Sequence, residues 1–144
     1  MKIPEKQQVI ISGVGGQGVL FVTRLLAEAA IAKGLSVITS ETHGMAQRGG
    51  TVVSHLKVGD FSSPLIRPAQ ADGLIALKAE SVAVHGAYVR PDGWIVANSG
   101  EPLDSQATTA VMTLDAESVA RQINNLRAIN LVMLGYAITR LVQA

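Results

Sequence analysis

Residues 9–19 read Val-Ile-Ile-Ser-Gly-Val-Gly-Gly-Gln-Gly-Val. The first four form a short β-rich run that predicts a buried strand ending at Gly13. From Gly18 the spacing of apolar residues becomes helical, and Gly34 is placed to end that helix in a left-handed cap. Residues 35–39 then predict a second strand. Strand, short loop, helix, glycine and strand together predict a right-handed βαβ unit in a parallel sheet.

The rest of the chain continues the alternation of strands and helices. Residues 40–50 show neither period and predict a loop. Asp115 is a plausible N-cap residue, and Pro91-Asp92-Gly93 predicts a turn. The fold class expected is α/β: a single Rossmann-like domain over residues 1–144, with a mostly parallel sheet flanked by helices. The further strands are expected over 51–58, 73–77, 94–97 and 111–114, and the further helices over 79–88, 116–123 and 127–142.

Composition excludes several classes of function. The 144 residues carry 12 basic and 11 acidic side chains, a net charge of +1 that gives no electrostatic case for nucleic acid or an anionic membrane. Cysteine is absent, which excludes disulfides and thiolate ligation of an iron–sulfur cluster by this chain. The N-terminus lacks the apolar run of a signal peptide, so a cytoplasmic location is expected. With 48% apolar and 16% charged residues, part of the surface is expected to contact another chain.

The glycines after the first strand match the pattern G-x-G-x-x-G at Gly13, Gly15 and Gly18. Glycine permits positive φ and close backbone approach, and a helix N-terminus offers N–H groups to an anion. Glu41 lies where a dinucleotide site would use an acid on the ribose. In the alternative interpretation, the glycines bind no ligand and only allow a tight turn with the helix packed close to the sheet. The glycine-dense segment that follows Glu41 argues against a simple dinucleotide site, because binding an adenosine ribose does not need such a segment.

Two segments resemble a known family. Gly-Val-Gly-Gly-Gln-Gly-Val at 13–19 and Glu-Thr-His-Gly-Met-Ala-Gln-Arg-Gly-Gly at 41–50 are similar to the two hallmark loops of the gamma subunit or domain of 2-oxoacid:ferredoxin oxidoreductases. The form at 41–50 is most similar to the small subunit of the indolepyruvate type. The resemblance covers roughly residues 8–140. The chain departs from the family at Lys78, where members usually carry an acidic residue, and it is expected to lack their usual C-terminal extension of several dozen residues.

The resemblance implies a role in an assembly. Family enzymes oxidatively decarboxylate a 2-oxoacid to an acyl-CoA and pass two electrons to ferredoxin. Thiamine diphosphate, Mg²⁺ and iron–sulfur clusters are held by other subunits or domains. This chain is therefore expected to be inactive alone, to bind a large thiamine- and cluster-carrying subunit, and to reach ferredoxin through the complex; in isolation it could form a homodimer. The alternatives are a free-standing dinucleotide-binding oxidoreductase and a non-catalytic interaction module.

Both glycine-rich segments are expected to follow the carboxyl ends of adjacent parallel strands, and so to converge. Arg48 could then offer a planar cationic fork to a coenzyme A phosphate or to a carboxylate of a partner. The alternative is a structural ion pair between Arg48 and Glu41 at a subunit interface. His55, on the polar face of its strand, is expected to contact solvent or an interface. No catalytic residue or metal ligand is predicted, and the candidate cofactor-binding residues are Gly13, Gly15, Gly16, Gln17, Gly18, Glu41, His43, Gln47, Arg48, Gly49 and Gly50.

Overall fold

A computed structural model of the chain describes residues 6–43, 50–104 and 109–141. These residues form one α/β fold with a six-stranded sheet. The helices are α1 (Val19–Ala32), α2 (Glu80–His85), α3 (Ala116–Gln122) and α4 (Ile129–Leu141). The strands are β1 (Gln7–Val14), β2 (Val37–His43), β3 (Thr51–Val58), β4 (Ala71–Ala76), β5 (Val89–Asn98) and β6 (Val111–Leu114).

The order of the strands in the sheet is β2-β3-β1-β4-β5-β6. The pairs β1–β4, β4–β5 and β5–β6 are parallel, whereas β3 is antiparallel to both of its neighbours. The mostly parallel sheet predicted from the sequence is confirmed. The predicted adjacency of β1 and β2 is wrong, because β3 lies between them.

β2 is also longer than expected and shifted along the chain. The prediction placed it at residues 35–39 and assigned Ser40 to a loop, but the strand continues to His43. Ser40 pairs with His55 and Thr42 with Val53, so β2 and β3 are antiparallel neighbours. An edge strand with polar side chains on both faces has no hydrophobic period, which is why the sequence pattern did not reveal it.

The centre of the sheet is covered on both faces. Along β1, Val9 and Ile11 pack in the apolar cluster beneath α1 and α4, while Ile10 packs in the cluster on the opposite face. α1 ends as predicted: the N–H of Gly34 (φ +82°) donates to the Ile31 carbonyl at 2.9 Å. The Asp115 cap is confirmed as well, since its carboxylate accepts the Ser118 N–H at 3.0 Å.

Two further expectations need correction at the boundaries of elements. Pro91 to Gly93 lie within β5 as an irregularity: β4 advances from Ala71 to Gly73 while β5 advances from Val89 to Trp94. The helix predicted over 79–88 ends at His85 and continues as a single 3-10 turn. The described helices, of which α1 at 14 residues is the longest, all fall short of what crossing a bilayer requires.

The prediction for His55 is wrong. Its side chain is only 5% exposed, because β3 is an inner strand with both faces covered. The His55 Nδ1 accepts the N–H of Ile66 at 3.0 Å, which keeps the ring neutral with its proton on Nε2. Burial, with smaller contributions from His85 and Lys57, lowers the pKa of His55 below its ordinary value. His55 therefore anchors the connection between β3 and β4.

Candidate functional site

The glycine loop between β1 and α1 is held by one side chain. The N–H of Gln17 donates to the Val14 carbonyl at 3.1 Å, closing a four-residue turn. The Gln17 Oε1 in turn accepts the Val14 N–H at 2.8 Å, and its Nε2 donates to the Leu77 carbonyl at 3.3 Å. These bonds tie the loop to the end of β4. Gln17, a predicted cofactor-binding residue, thus has its amide engaged within the protein.

Three of the four loop glycines are required by the backbone or by close packing. Gly16 and Gly18 have φ of +88° and +82°, a region that other residues rarely adopt. A Cβ on Gly13 would lie 2.7 Å from the Gln17 Oε1 and 3.3 Å from the Leu77 Cβ. Gly15 differs, since it is exposed and a Cβ there would meet no atom of the described residues within 4 Å. Gly16 has similar open space, so Gly15 is the loop glycine that has open space without a positive φ.

The second glycine-rich segment meets the loop through its last residue. The N–H of Gly15 donates to the Gly50 carbonyl at 3.0 Å. The predicted convergence of the two segments is thus confirmed at this point, but its predicted cause is not. Gly50 arrives at the start of β3, where Thr51 pairs with Val14, and the segment does not follow a strand adjacent to β1.

The remaining candidates of this segment are described only in part. Glu41 is exposed and lies in β2 at the level of Ser54 and Ile11 in the two neighbouring strands. His43 is the last residue of β2, and its side chain lies outside the described residues. Gln47, Arg48 and Gly49 lie outside them entirely.

Asn130 contacts the loop although it was not among the candidate cofactor-binding residues. A Cβ on Gly18 would collide with the Asn130 side chain, so the start of α4 rests against the start of α1. Both helices of this contact carry exposed apolar side chains. Leu20, Phe21 and Leu131 are 37%, 48% and 46% exposed. Large exposed apolar side chains that neighbour one another mark a surface suited to another protein chain.

One depression, here called the β3-side depression, opens between the glycine loop and β3. It has a volume of about 400 Å³. No carboxylate is among the described residues that line it. The exposed backbone of the loop and the first turn of α1 face it, and a helix N-terminus favours an anion. The lining residues are Val14, Gly15, Gly16, Gly18, Val19, Leu20 and Val52.

A second depression, here called the β4-side depression, lies on the other side of the loop with a volume of about 370 Å³. Its described lining residues include the carboxylates Glu80, Asp115 and Glu117 and one cation, Lys78. Hydrogen bonds from the backbone and side chain of Ser118 lower the pKa of Asp115, which keeps this carboxylate charged. These carboxylates repel an anionic ligand. The two sides of the loop therefore differ in their electrostatic attraction for phosphate.

The dinucleotide alternative does not suit this arrangement. In a dinucleotide fold the acid that binds the ribose ends the strand next to β1. Here β3 separates β2 from β1, which places the Glu41 strand about 10 Å from β1 instead of one strand spacing away. Within the described ranges, no group of three or more His, Asp or Glu side chains is arranged to hold a metal ion.

Comparisons with known proteins identify the family to which this fold belongs. Residues 8–143 match the family described as pyruvate ferredoxin/flavodoxin oxidoreductase. The chain is 31% identical to the indolepyruvate oxidoreductase subunit IorB of Archaeoglobus fulgidus, over 88% of this chain and 73% of that protein.

Solved structures show the same fold. The gamma subunit of a keto/oxoacid ferredoxin oxidoreductase from Geobacter sulfurreducens matches with a TM-score of 0.75 and 25% identity, over 95% of this chain and 79% of that one. The 2-oxoglutarate:ferredoxin oxidoreductase of Magnetococcus marinus matches with a TM-score of 0.77 and 21% identity, over 93% of this chain and 24% of that one. The chain belongs to the pyruvate ferredoxin/flavodoxin oxidoreductase family.

Proposed function

We propose that this chain is a gamma-type subunit of a thiamine-dependent 2-oxoacid:ferredoxin oxidoreductase, most like the indolepyruvate type, and that its glycine-loop end borders the coenzyme A site of the complex. The β3-side depression carries the proposal. It combines exposed glycine backbone, a helix N-terminus and the end of the 41–50 segment, and no carboxylate is among its described lining residues.

The charge distribution around the loop selects the side on which coenzyme A binds. Its phosphates are anions and its pantetheine arm is largely apolar at the thiol end. The β3-side depression offers N–H groups beside Val52 and Leu20, whereas the β4-side depression offers three carboxylates. A phosphate therefore gains charge-assisted hydrogen bonds on the β3 side only. The Magnetococcus enzyme has coenzyme A bound, which makes it the ligand to test.

The redox chemistry belongs to partner subunits in this proposal. The chain contains no cysteine and so has no thiolate to hold an iron–sulfur cluster. The apolar surface around Phe21 and Leu131 supports docking of a large thiamine- and cluster-carrying subunit beside the glycine loop. Ferredoxin then receives electrons from the complex.

The role of Arg48 separates two versions of this site. In the first, its guanidinium binds a coenzyme A phosphate; in the second, it pairs with Glu41 and holds the 41–50 segment at the subunit interface. Arg48→Ala is measured in the complex reconstituted from this chain and its large partner. The first version predicts a raised KM for coenzyme A with normal assembly. Weakened assembly with an unchanged KM supports the second version and contradicts the first.

Reconstitution also separates the proposal from the alternatives. Capture of a thiamine- and cluster-containing partner, with coenzyme A-dependent oxidation of a 2-oxoacid that requires this chain, is the expected result. Micromolar binding of NAD(H) by the chain alone, without such a partner, would instead support the dinucleotide alternative. If a complex assembles but its activity and KM for coenzyme A do not depend on this chain, the result would support the interaction-module alternative.

A further inference from the structure

A second polar groove lies at the opposite end of the sheet from the glycine loop. It forms where β3 ends and β4 begins and has a volume of about 420 Å³, large enough for a small metabolite. Two cations and no carboxylate are among the described residues that line it. Its main lining residues are Gln8, Lys57, Phe61, Ser63, Arg67 and Gln70. We call this the Lys57 groove.

Lys57 is a largely buried residue that lines this groove. Only 6% of the residue is exposed. It forms no ion pair among the described residues. The Asp72 carboxylate, which is outside the described lining of the groove, accepts the Gln8 N–H at 2.7 Å and pairs with the Arg90 Nε at 3.0 Å. An ammonium group without a described counter-charge, beside a groove whose described lining has no carboxylate, favours an added anion.

The aromatic ring beside Lys57 does not neutralise it. The Lys57 Nζ lies 5.2 Å from the centroid of the Phe61 ring, and the Lys6 Nζ lies 5.0 Å from the same centroid. A ring quadrupole attracts each cation, but the two ammonium groups carry the same charge and repel one another. Arg67 adds a third cation at the rim of the groove. An oxyanion between these groups would relieve the repulsion.

The groove is built into a fixed part of the fold. Ile66 is 2% exposed, and its N–H is bonded to the His55 Nδ1 at 3.0 Å. The turn after Arg67 closes through the Gln70 N–H on the Arg67 carbonyl at 3.2 Å. The Ala69 N–H donates to the Ala87 carbonyl at 3.0 Å. These bonds hold Arg67 near the groove before any ligand arrives, which lowers the entropy cost of binding.

We propose that the Lys57 groove binds an oxyanion of a small molecule, a phosphate or carboxylate group, with the Lys57 ammonium as its counter-charge and Arg67 at its rim. The donors Ser63 and the side-chain amides of Gln8 and Gln70 surround the same space. The site does not depend on the proposed role of the glycine loop, since the two lie at opposite ends of the sheet.

The test is a titration of the full chain, followed by backbone amide NMR, with inorganic phosphate and separately with succinate at constant ionic strength. Saturable shifts of amides in residues 61–70, with a dissociation constant of about 1 mM or lower, are expected for at least one probe. Lys57→Met keeps the volume and removes the charge, and it should weaken binding about tenfold or more. Lys33→Met, an exposed lysine after α1, is the matched control and should bind like the unchanged protein.

Arg67→Gln provides a second variant if Lys57→Met does not fold, with the exposed Arg24→Gln as its control. Saturation by phosphate alone identifies a phosphate group as the ligand, and saturation by succinate identifies a carboxylate. Both results support the site. The proposal is overturned if neither probe shifts residues 61–70, or if the shifts persist unchanged in both Lys57→Met and Arg67→Gln. Shifts confined to residues 15–20 would report on the glycine loop and would likewise overturn it.

Discussion

The two ends of β3 meet two polar sites that use different physics. At Thr51 the strand begins beside the glycine loop, where backbone N–H groups and a helix N-terminus provide the positive potential. At Val58 it ends beside the Lys57 groove, where side-chain cations provide it. The first site depends on glycine conformation and close approach. The second depends on charge and on the anchor between Ile66 and His55. Different substitutions or conditions should therefore disrupt the site at each end of β3.

The largest effect is expected at the glycine-loop end, from Gly18→Ala. The new Cβ would collide with Asn130, and a φ of +82° is unfavourable for alanine. Left-handed backbone and overpacking together should lower the free energy of unfolding by roughly 2–4 kcal/mol. Urea unfolding of the isolated chain measures this loss.

The same variant can be dissected by removing its neighbour. Asn130→Ala in the Gly18→Ala background should recover the part of the loss that comes from the collision, leaving about 1–2 kcal/mol for the backbone. If Gly18→Ala unfolds at the same urea concentration as the unchanged chain, the contact between α1 and α4 at this position is wrong.

A smaller effect is expected at the other end of β3 on acidification. Burial lowers the pKa of both His55 and His85 below 6.5 in the folded chain. The unfolded chain then binds more protons as the pH falls below about 6.5, so stability is complete above that pH and is lost below it. Each histidine contributes at most about 1.4 kcal/mol per pH unit. Thermal unfolding between pH 7.5 and 5 measures the slope.

His55→Asn is the matched variant for this measurement. Its side-chain oxygen can still accept the Ile66 N–H, but it does not titrate. The acid loss of stability should therefore become shallower, and amides of residues 61–70 should respond less to pH than in the unchanged chain. An equal slope in both proteins would rule out His55 as the titrating anchor.

The smallest effect is expected from neutralising the β4-side depression. Glu80→Gln with Glu117→Gln removes two of its three carboxylates. If coenzyme A binds on the β3 side, its KM in the reconstituted complex should change by less than about twofold, because solvent screens these exposed charges. A KM lowered by an order of magnitude would place the phosphates on the β4 side instead.

The parts of the fold that the sequence predicted are those with strong local signals. The β1–loop–α1 unit, the Gly34 cap and the Asp115 cap each depend on a few neighbouring residues. The position of β3 between β1 and β2 was not predictable in this way. Strand order depends on which edges pair across long sequence separations, and βαβ patterns favour adjacency by default.

The sequence predicted that the two glycine-rich segments meet, but it did not predict the side chains that surround them. Gly15 and Gly50 meet as the two motifs suggested. Three features were not predicted: the hydrogen bonds of the Gln17 amide, the contact with Asn130, and the position of the carboxylates on one side of the loop. All three depend on how α3, α4 and β4 pack. His55 was assigned to a polar face because alternation cannot distinguish a solvated face from a face buried under the β3–β4 connection.

The most direct test of the account is the KM for coenzyme A of Gly15→Ala in the reconstituted complex. A methyl group there meets no atom of the described residues within 4 Å, so the fold should be unchanged while the methyl occupies space beside the loop that a phosphate would fill. Loss of one charge-assisted hydrogen bond, about 1.5–3 kcal/mol, should raise the KM about tenfold or more. Gly135→Ala in α4, where a Cβ likewise meets no atom within 4 Å, is the control and should leave the KM unchanged. An unchanged KM in Gly15→Ala, with normal assembly, would contradict phosphate binding at the glycine loop.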